Sequence, residues 1–104
     1  MFIARFIIDV KFGHKDEFLA LQRKWQEEVG ARIGWKTLRY ATGSIGAHES
    51  RMEMELEVGS LAELEKAWAE LAKSDAHKRF GKALEPLVVS GSNRWEILRV
   101  ITPA

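Results

Sequence analysis

The chain has no cysteine, and its charges almost cancel. Its 104 residues include 16 Lys and Arg against 15 Asp and Glu, a formal net charge of +1. The lack of cysteine excludes disulfides, thiolate metal sites and cysteine nucleophiles, and it is typical of a reducing compartment, so we expect a cytoplasmic protein. The small net charge gives no general field that would attract nucleic acid or an anionic membrane, and we expect neither as a partner.

Long apolar runs are also missing. Arg5 and Asp9 interrupt the apolar stretch at residues 1–9, and no small-residue cleavage site follows it, so we expect a strand there rather than a signal peptide. No segment is long and apolar enough to span a bilayer. The length and the 46% share of apolar residues predict a single domain, residues 1–104.

A helical pattern occurs twice. Two sets of residues share the same spacing along one helical face: Phe18, Leu21 and Trp25, then Leu61, Leu64 and Trp68. Each set follows an alternating strand pattern, at residues 2–10 and 52–58, and each precedes another candidate strand. The order strand–helix–strand–strand–helix–strand predicts an α+β, ferredoxin-like sandwich with a four-stranded antiparallel sheet and both helices on one face.

Local signals set the expected boundaries. We predict a first helix over residues 14–32, with Val29 on its inner face, and strands over residues 35–42 and 94–101. Ser60 and Glu63 form a capping box that starts the second helix, and Ser74 caps a short third helix that ends before Pro86. Residues 87–89 fit either an edge strand or a docked loop. The faces on which Trp35 and Trp95 lie stay undecided, because the alternation in their segments is ambiguous.

Three segments resemble a known superfamily. Residues 74–80 (SDAHKRF), 84–87 (LEPL) and 95–98 (WEIL) look like the C-terminal half of dimeric α+β-barrel proteins, which include NIPSNAP-like and antibiotic-biosynthesis-monooxygenase-like proteins. The resemblance implies a homodimer in which two sheets pack face to face and each protomer keeps its own pocket. Ile3 and Ile7, and either Trp35 or Trp95, are then expected on the open sheet face. The alternative is a monomer with a solvated face.

Four polar side chains are candidates to line a pocket for a small, partly apolar molecule. They are the amphipathic or cationic groups nearest the open sheet face and the helix mouth: Tyr40, Arg51, His77 and Arg94. One rival interpretation is a cofactor-independent monooxygenase, or a related isomerase or lyase, with His77 or a strand carboxylate as the base. A second rival is a structural or regulatory oligomerisation module.

The histidines do not predict a metal site. His14, His48 and His77 lack ligand spacing, and no acidic residue completes a metal motif near them. His77 follows Trp68 at a spacing similar to that in haem-degrading monooxygenases, where the histidine is an axial haem ligand. Those enzymes also have an asparagine on the first strand, where this chain has Asp9. We interpret Trp68 as a core residue and predict no cofactor.

One row of charges stands out on the third strand. Its outward residues are Arg51, Glu53, Glu55 and Glu57, and the first strand is expected to present Arg5 and Asp9 beside them. We predict cross-strand ion pairs among these groups. The alternative is a pair of carboxylates, one with a raised pKa, that act as acid and base.

Overall fold

A computed structural model describes residues 1–103 of the chain. Its elements in chain order are β1 (Phe2–Asp9), α1 (Lys15–Glu28), β2 (Arg39–Thr42), β3 (Arg51–Val58), α2 (Leu61–Lys73), α3 (Asp75–Leu84) and β4 (Arg94–Arg99). The strands form one sheet in the order β2-β3-β1-β4, and every neighbouring pair is antiparallel. The predicted α+β, ferredoxin-like arrangement is confirmed.

The alternation of residues along the strands separates an apolar sheet face from a polar one. On β3, Met52, Met54, Leu56 and Val58 are all buried, and in register with them β1 turns Ala4 and Ile8 toward the helices. The helices contribute Trp25, Leu64 and Leu71 to the same core. The opposite side of the sheet, called here the open face, carries the odd-numbered residues of β1 and β3.

The segment after α1 departs from the prediction. The helix ends at Glu28 instead of residue 32, because a 3-10 turn over Gly30–Ile33 follows and ends at Gly34, whose φ of 88° is left-handed. The backbone N–H of Trp35 donates to the carbonyl of Gly30 at 2.9 Å, which prolongs this turn and delays β2 until Arg39.

Neither Trp35 nor Trp95 lies on the open face, so the expectation for that face was wrong for both. Trp35 precedes β2 and is 6% exposed within the core between helices and sheet. Trp95 pairs with Phe6 in the β1–β4 ladder, and both rings pack against the same core. Both indole rings therefore lie between the layer of helices and the sheet.

The buried face of α1 also differs from the prediction at one position. Phe18, Gln22 and Trp25 are its buried residues, whereas Leu21 is only partly buried. Gln22 follows Phe18 by four residues and precedes Trp25 by three, which is the spacing of one helical face. The amide side chain of Gln22 therefore lies on the buried face of α1, where we expected the side chain of Leu21.

Side-chain caps start α2 and α3 where the sequence placed them. The hydroxyl of Ser60 accepts from the N–H of Glu63 at 3.2 Å, and the Glu63 carboxylate returns to the N–H of Gly59 at 2.9 Å. The hydroxyl of Ser74 accepts from the N–H of His77 at 3.1 Å. The second cap matters for the site described below, since it holds His77 in the first turn of α3.

Residues 85–89 dock against the end of β1. The 3-10 turn Glu85–Leu87 follows α3, and Val88 forms a single antiparallel bridge with Val10. The N–H of Val89 donates to the carbonyl of Asp9 at 2.9 Å. This segment connects the end of α3 to the end of β1. No helix within residues 1–103 is long and apolar enough to cross a bilayer.

Ile7 on the open face is not exposed, contrary to expectation. It is 2% exposed within a single chain, and its cross-strand neighbours on that face are Glu53 and Arg94. Ile3 is partly buried, and Leu98, which pairs with it, is 41% exposed. The charged side chains of the face thus lie beside a buried isoleucine, and the exposed apolar surface is concentrated toward Leu98.

Candidate ligand-binding cavity

A cavity of about 510 Å³ lies between the helices and the sheet. All four tryptophans of the chain line it: Trp25 from α1, Trp35 before β2, Trp68 from α2 and Trp95 from β4. The volume falls within the range of roughly 300–1,000 Å³ that is typical of small-molecule sites, and a mostly apolar wall with a few polar groups is their usual composition.

Five aromatic rings form a continuous series along the wall. The ring centroids of His77 and Trp25, of Trp25 and Trp35, and of Trp35 and Trp95 are each 6.1 Å apart. Trp95 and Trp68 follow at 5.5 Å. All four pairs are tilted or edge-to-face, the favoured geometries for such contacts. Packing of this kind holds each ring in place before any ligand arrives.

Trp25 is held from two sides. A Cβ atom at Gly30 would lie 3.0 Å from its Cζ3 atom, so the ring rests against a backbone that has no side chain at that position. At its other end the indole Nε1–H donates a hydrogen bond of 3.0 Å to Nδ1 of His77. Trp25 is 5% exposed, and this bond therefore forms away from bulk water.

His77 is neutral at pH 7. Burial lowers the pKa of its imidazole below the ordinary value of 6.5. The ring also sits in the first turn of α3, where the helix dipole disfavours a cation. Since Nδ1 accepts from Trp25, the single ring proton of the neutral form is on Nε2. His77 therefore presents an N–H donor at its second nitrogen.

This arrangement does not fit an axial haem ligand. Ligation through Nε2 needs the lone pair on that atom and a proton on Nδ1, which would then oppose the indole N–H of Trp25 donor to donor. Asp9 lies on the open face, away from the cavity, and accepts from Ser50 at 3.2 Å. Within residues 1–103, no three side chains of the ligating types cluster around a possible metal position.

Other polar groups of the cavity wall were not found from the sequence. Gln22, Glu85 and Asn93 line it, and Glu85 is the one formally charged residue among the lining positions within 1–103. Gln22 could have been predicted from the sequence. It shares the helical spacing of Phe18 and Trp25, and a polar residue at such a position indicates a buried polar contact. Glu85 and Asn93 lie beside turns, where periodicity carries no information.

Trp68, which lines the cavity, also has an unsatisfied donor in the protein interior. Its Nε1–H is buried and has no hydrogen-bond partner within residues 1–103. A buried N–H without an acceptor raises the free energy of the folded state by about 1–3 kcal/mol. The apolar body of the same ring packs against Trp95. Trp68 thus gives the cavity wall a rigid aromatic surface, whereas its N–H has no accessible surface to offer a ligand.

Of the four predicted site residues, only His77 lines the cavity. Tyr40 lies on the helix-facing side of β2, but its hydroxyl is buried without a partner and burial raises its pKa to about 12. Arg51 and Arg94 lie on the open face, where each pairs with a glutamate two residues on, at 2.9 and 3.5 Å. The sheet separates both arginines from the cavity, because Arg51 pairs with Asp9 and Arg94 pairs with Ile7, both of which lie on the open face.

The predicted ion pairs of the open face form in part. Nε of Arg5 contacts Glu55 at 2.8 Å, and Arg39 of β2 pairs with the same carboxylate. The hydrogen bond from Arg5 is the main cause that holds the pKa of Glu55 below its ordinary value. Asp9 takes part in none of these pairs. The depressed pKa of Glu55 favours a structural role for this carboxylate over an acid–base role.

Comparison with known proteins shows likeness in fold. No family model and no curated protein matches the chain. Among solved structures, a NIPSNAP family protein from Agrobacterium tumefaciens strain C58 superposes with a TM-score of 0.77 at 24% identity, covering 94% of this chain and 90% of that one. A NIPSNAP-like domain protein from Burkholderia xenovorans gives 0.75 at 19% identity, covering 99% and 89%.

A protein described as an antibiotic biosynthesis monooxygenase is similar at a greater distance. It superposes with a TM-score of 0.65 at 12% identity, covering 98% of this chain and 100% of that one. Identities this low establish a shared fold alone. The resemblance to NIPSNAP-like and monooxygenase-like proteins that the sequence indicated is confirmed at that level.

Proposed function

We propose that the protein binds a small, partly apolar molecule in the tryptophan-lined cavity. The observation that carries this proposal is the convergence of all four tryptophans on one space of about 510 Å³, with His77 at the end of their series. Aromatic side chains that serve stability alone are expected to pack against one another rather than to line one shared space. An oligomerisation module would be expected to have a filled interior.

A cavity-filling variant tests this proposal. Ala72 of α2 lines the cavity, and Ala69, also exposed on α2, does not. Tetralin, an uncharged two-ring hydrocarbon, is a suitable probe because it fits the volume and has no polar atom. Titration calorimetry should show saturable binding to the native protein and to Ala69→Phe, and at least tenfold weaker binding to Ala72→Phe. Equal binding by both variants would place the probe elsewhere and contradict the proposal.

A cofactor-independent monooxygenase, or a related isomerase or lyase, is the alternative. It is supported by the fold shared with a protein described as an antibiotic biosynthesis monooxygenase. An enzyme that used His77 as a base would need a free lone pair on Nε2, and the hydrogen bond from Trp25 opposes that tautomer. Oxygen uptake with 1-naphthol that is lost in Ala72→Phe and kept in Ala69→Phe would favour the alternative.

A homodimer formed through the open face belongs to the same proposal. Leu98, 41% exposed and next to Ile3, offers apolar surface at one side of that face. The burial of Ile7 by its own chain reduces the apolar area available, so Leu98 becomes the critical position. Light scattering at micromolar concentration should give twice the chain mass of 11.9 kDa, and Leu98→Glu should give the single mass. A native monomer would contradict the dimer. The cytoplasmic location stays a prediction.

A further inference from the structure

The two nitrogens of the His77 ring have different surroundings. Nδ1 accepts the hydrogen bond from Trp25 at 3.0 Å. Nε2 has no partner within residues 1–103, and it is not among the buried atoms that lack one, so it keeps accessible surface on a side chain that lines the cavity. A half-buried donor on a side chain that lines an apolar cavity gains most from an acceptor brought by a ligand.

From this geometry we infer that His77 is the residue that selects the ligand, by donating from Nε2–H to an uncharged acceptor oxygen such as a carbonyl. Trp25 is the positioning residue, because its indole N–H keeps the proton of His77 on Nε2. The inference rests on the proposed binding function and adds the chemical class of the ligand: a ring-sized apolar body with an oxygen acceptor near one end.

The donor role follows from what an indole can do. The N–H of tryptophan donates and never accepts, so the partner nitrogen of His77 must offer a lone pair. A protonated ring has N–H groups at both nitrogens and cannot accept this bond. Both the cationic form and the opposite neutral tautomer would therefore give up the contact with Trp25. The orientation is set by the protein before a ligand binds, which reduces the cost of ordering the site.

The remaining wall agrees with an uncharged acceptor. Glu85, the one charged lining residue within 1–103, would repel an anionic ligand, and no lysine or arginine lines the cavity in that range. An acceptor oxygen meets these requirements without carrying a negative charge into an apolar space.

A matched pair of probes isolates the hydrogen bond. Tetralin and 1-tetralone share the same fused rings, and 1-tetralone adds one carbonyl. The two differ in hydrophobicity, so the informative quantity is the ratio of their affinities compared between the native protein and a variant. In His77→Phe, which keeps a ring and removes the donor, the ratio that favours 1-tetralone should fall about tenfold, the usual effect of one hydrogen bond.

Two further variants separate the roles of His77 and Trp25. The amide nitrogen of glutamine can take the place of Nε2, so His77→Gln should restore most of the preference for 1-tetralone. Trp25→Phe should leave His77 present but lower the preference, because the tautomer is no longer fixed. Nitrogen-15 NMR of the imidazole in the native protein reports the tautomer directly and does not depend on any variant folding.

The outcomes are distinct for the two proposals. An Nε2–H tautomer, together with a preference that falls in His77→Phe and returns in His77→Gln, is the expected result. An Nδ1–H tautomer, or the same affinity ratio in the native protein and His77→Phe, would overturn this inference and leave binding in the cavity intact. Failure of both probes to bind the native protein would contradict the proposed function and, with it, this inference.

Discussion

The indole Nε1–H of Trp25 donates a hydrogen bond of 3.0 Å to Nδ1 of His77 and so joins α1 to α3 across the cavity. The two residues are 52 positions apart in the chain. Trp25 is fixed by its packing on Gly30, and His77 is fixed by the cap from Ser74. The bond therefore connects two rigid supports, and its direction determines which nitrogen of His77 carries the proton.

Acid should weaken the fold through His77. Its pKa lies below 6.5 in the folded protein because of burial, whereas the unfolded chain binds a proton near 6.5. The unfolded state therefore takes up protons first, and the free energy of unfolding should fall as the pH decreases from about 6.5 through the folded-state pKa. Urea denaturation between pH 8 and 5 measures this slope.

His48, which is exposed in the connection between β2 and β3, is the matched control for this pH dependence of the free energy of unfolding. His77→Gln should flatten the slope between pH 6.5 and 5, and His48→Gln should leave it unchanged. The same slope in the native protein and in His77→Gln would mean that His77 is protonated with equal ease in the folded and unfolded states, contrary to its position beside Trp25.

Removing the central indole should destabilise the protein strongly. Trp25 is 5% exposed, so Trp25→Ala should lower the free energy of unfolding by about 3–5 kcal/mol, as for other large buried aromatics. Trp68 is only partly buried, and Trp68→Ala should cost less. Phe12, 94% exposed, is the control, and Phe12→Ala should change stability by less than about 0.5 kcal/mol. Chemical denaturation that ranked the three differently would contradict the packing described here.

A methyl group at Gly30 should displace the Trp25 ring. The Cβ atom of Gly30→Ala would lie 3.0 Å from Cζ3 of Trp25, so we expect a loss of about 1–3 kcal/mol from overpacking. At Gly81 in α3 a Cβ would meet nothing within 4 Å, and Gly81→Ala should stabilise the helix by up to about 1 kcal/mol. Thermal denaturation of the two variants should show shifts of opposite sign.

The open-face carboxylate Glu55 should stabilise the fold above acidic pH. Its folded-state pKa is depressed by Arg5, so its contribution is present above the ordinary value of 4.5 and is lost as the pH falls through the folded-state pKa. Glu55→Gln should cost about 0.5–1 kcal/mol at pH 7, and this cost should shrink as the pH falls through the folded-state pKa of Glu55. Glu57→Gln, in the same row but with no ion pair within residues 1–103, should cost less than about 0.5 kcal/mol over the same pH range.

The sequence was sufficient to predict the fold because independent signals agreed. The alternation on β3, the cap at Ser60 and the repeated spacing of Trp25 and Trp68 all indicated the same element order. The boundaries around α1 and β2 were missed for a physical reason: the 3-10 turn at Gly30 draws Trp35 into the core, and no local pattern records that long-range contact.

The site was less predictable than the fold. His77 was singled out by a resemblance, and its contact with Trp25 joins residues whose proximity depends on how α1 packs against α3. Arg51 and Arg94 were chosen as cationic groups near the open sheet face, and both lie on that face, on the far side from the cavity. Gln22 could have been found from helical spacing, since it falls between Phe18 and Trp25 on the buried face.

The four indole N–H signals in a nitrogen-15 NMR spectrum test the binding proposal most directly, because every tryptophan of the chain lines the cavity. Titration with 1-tetralone should shift these signals with one saturable dependence on concentration, the signal of Trp25 included, while the amides of Arg51 and Leu98, which lie on the open face, stay in place. Saturable shifts confined to the open face, or four indole signals that do not move, would contradict the account.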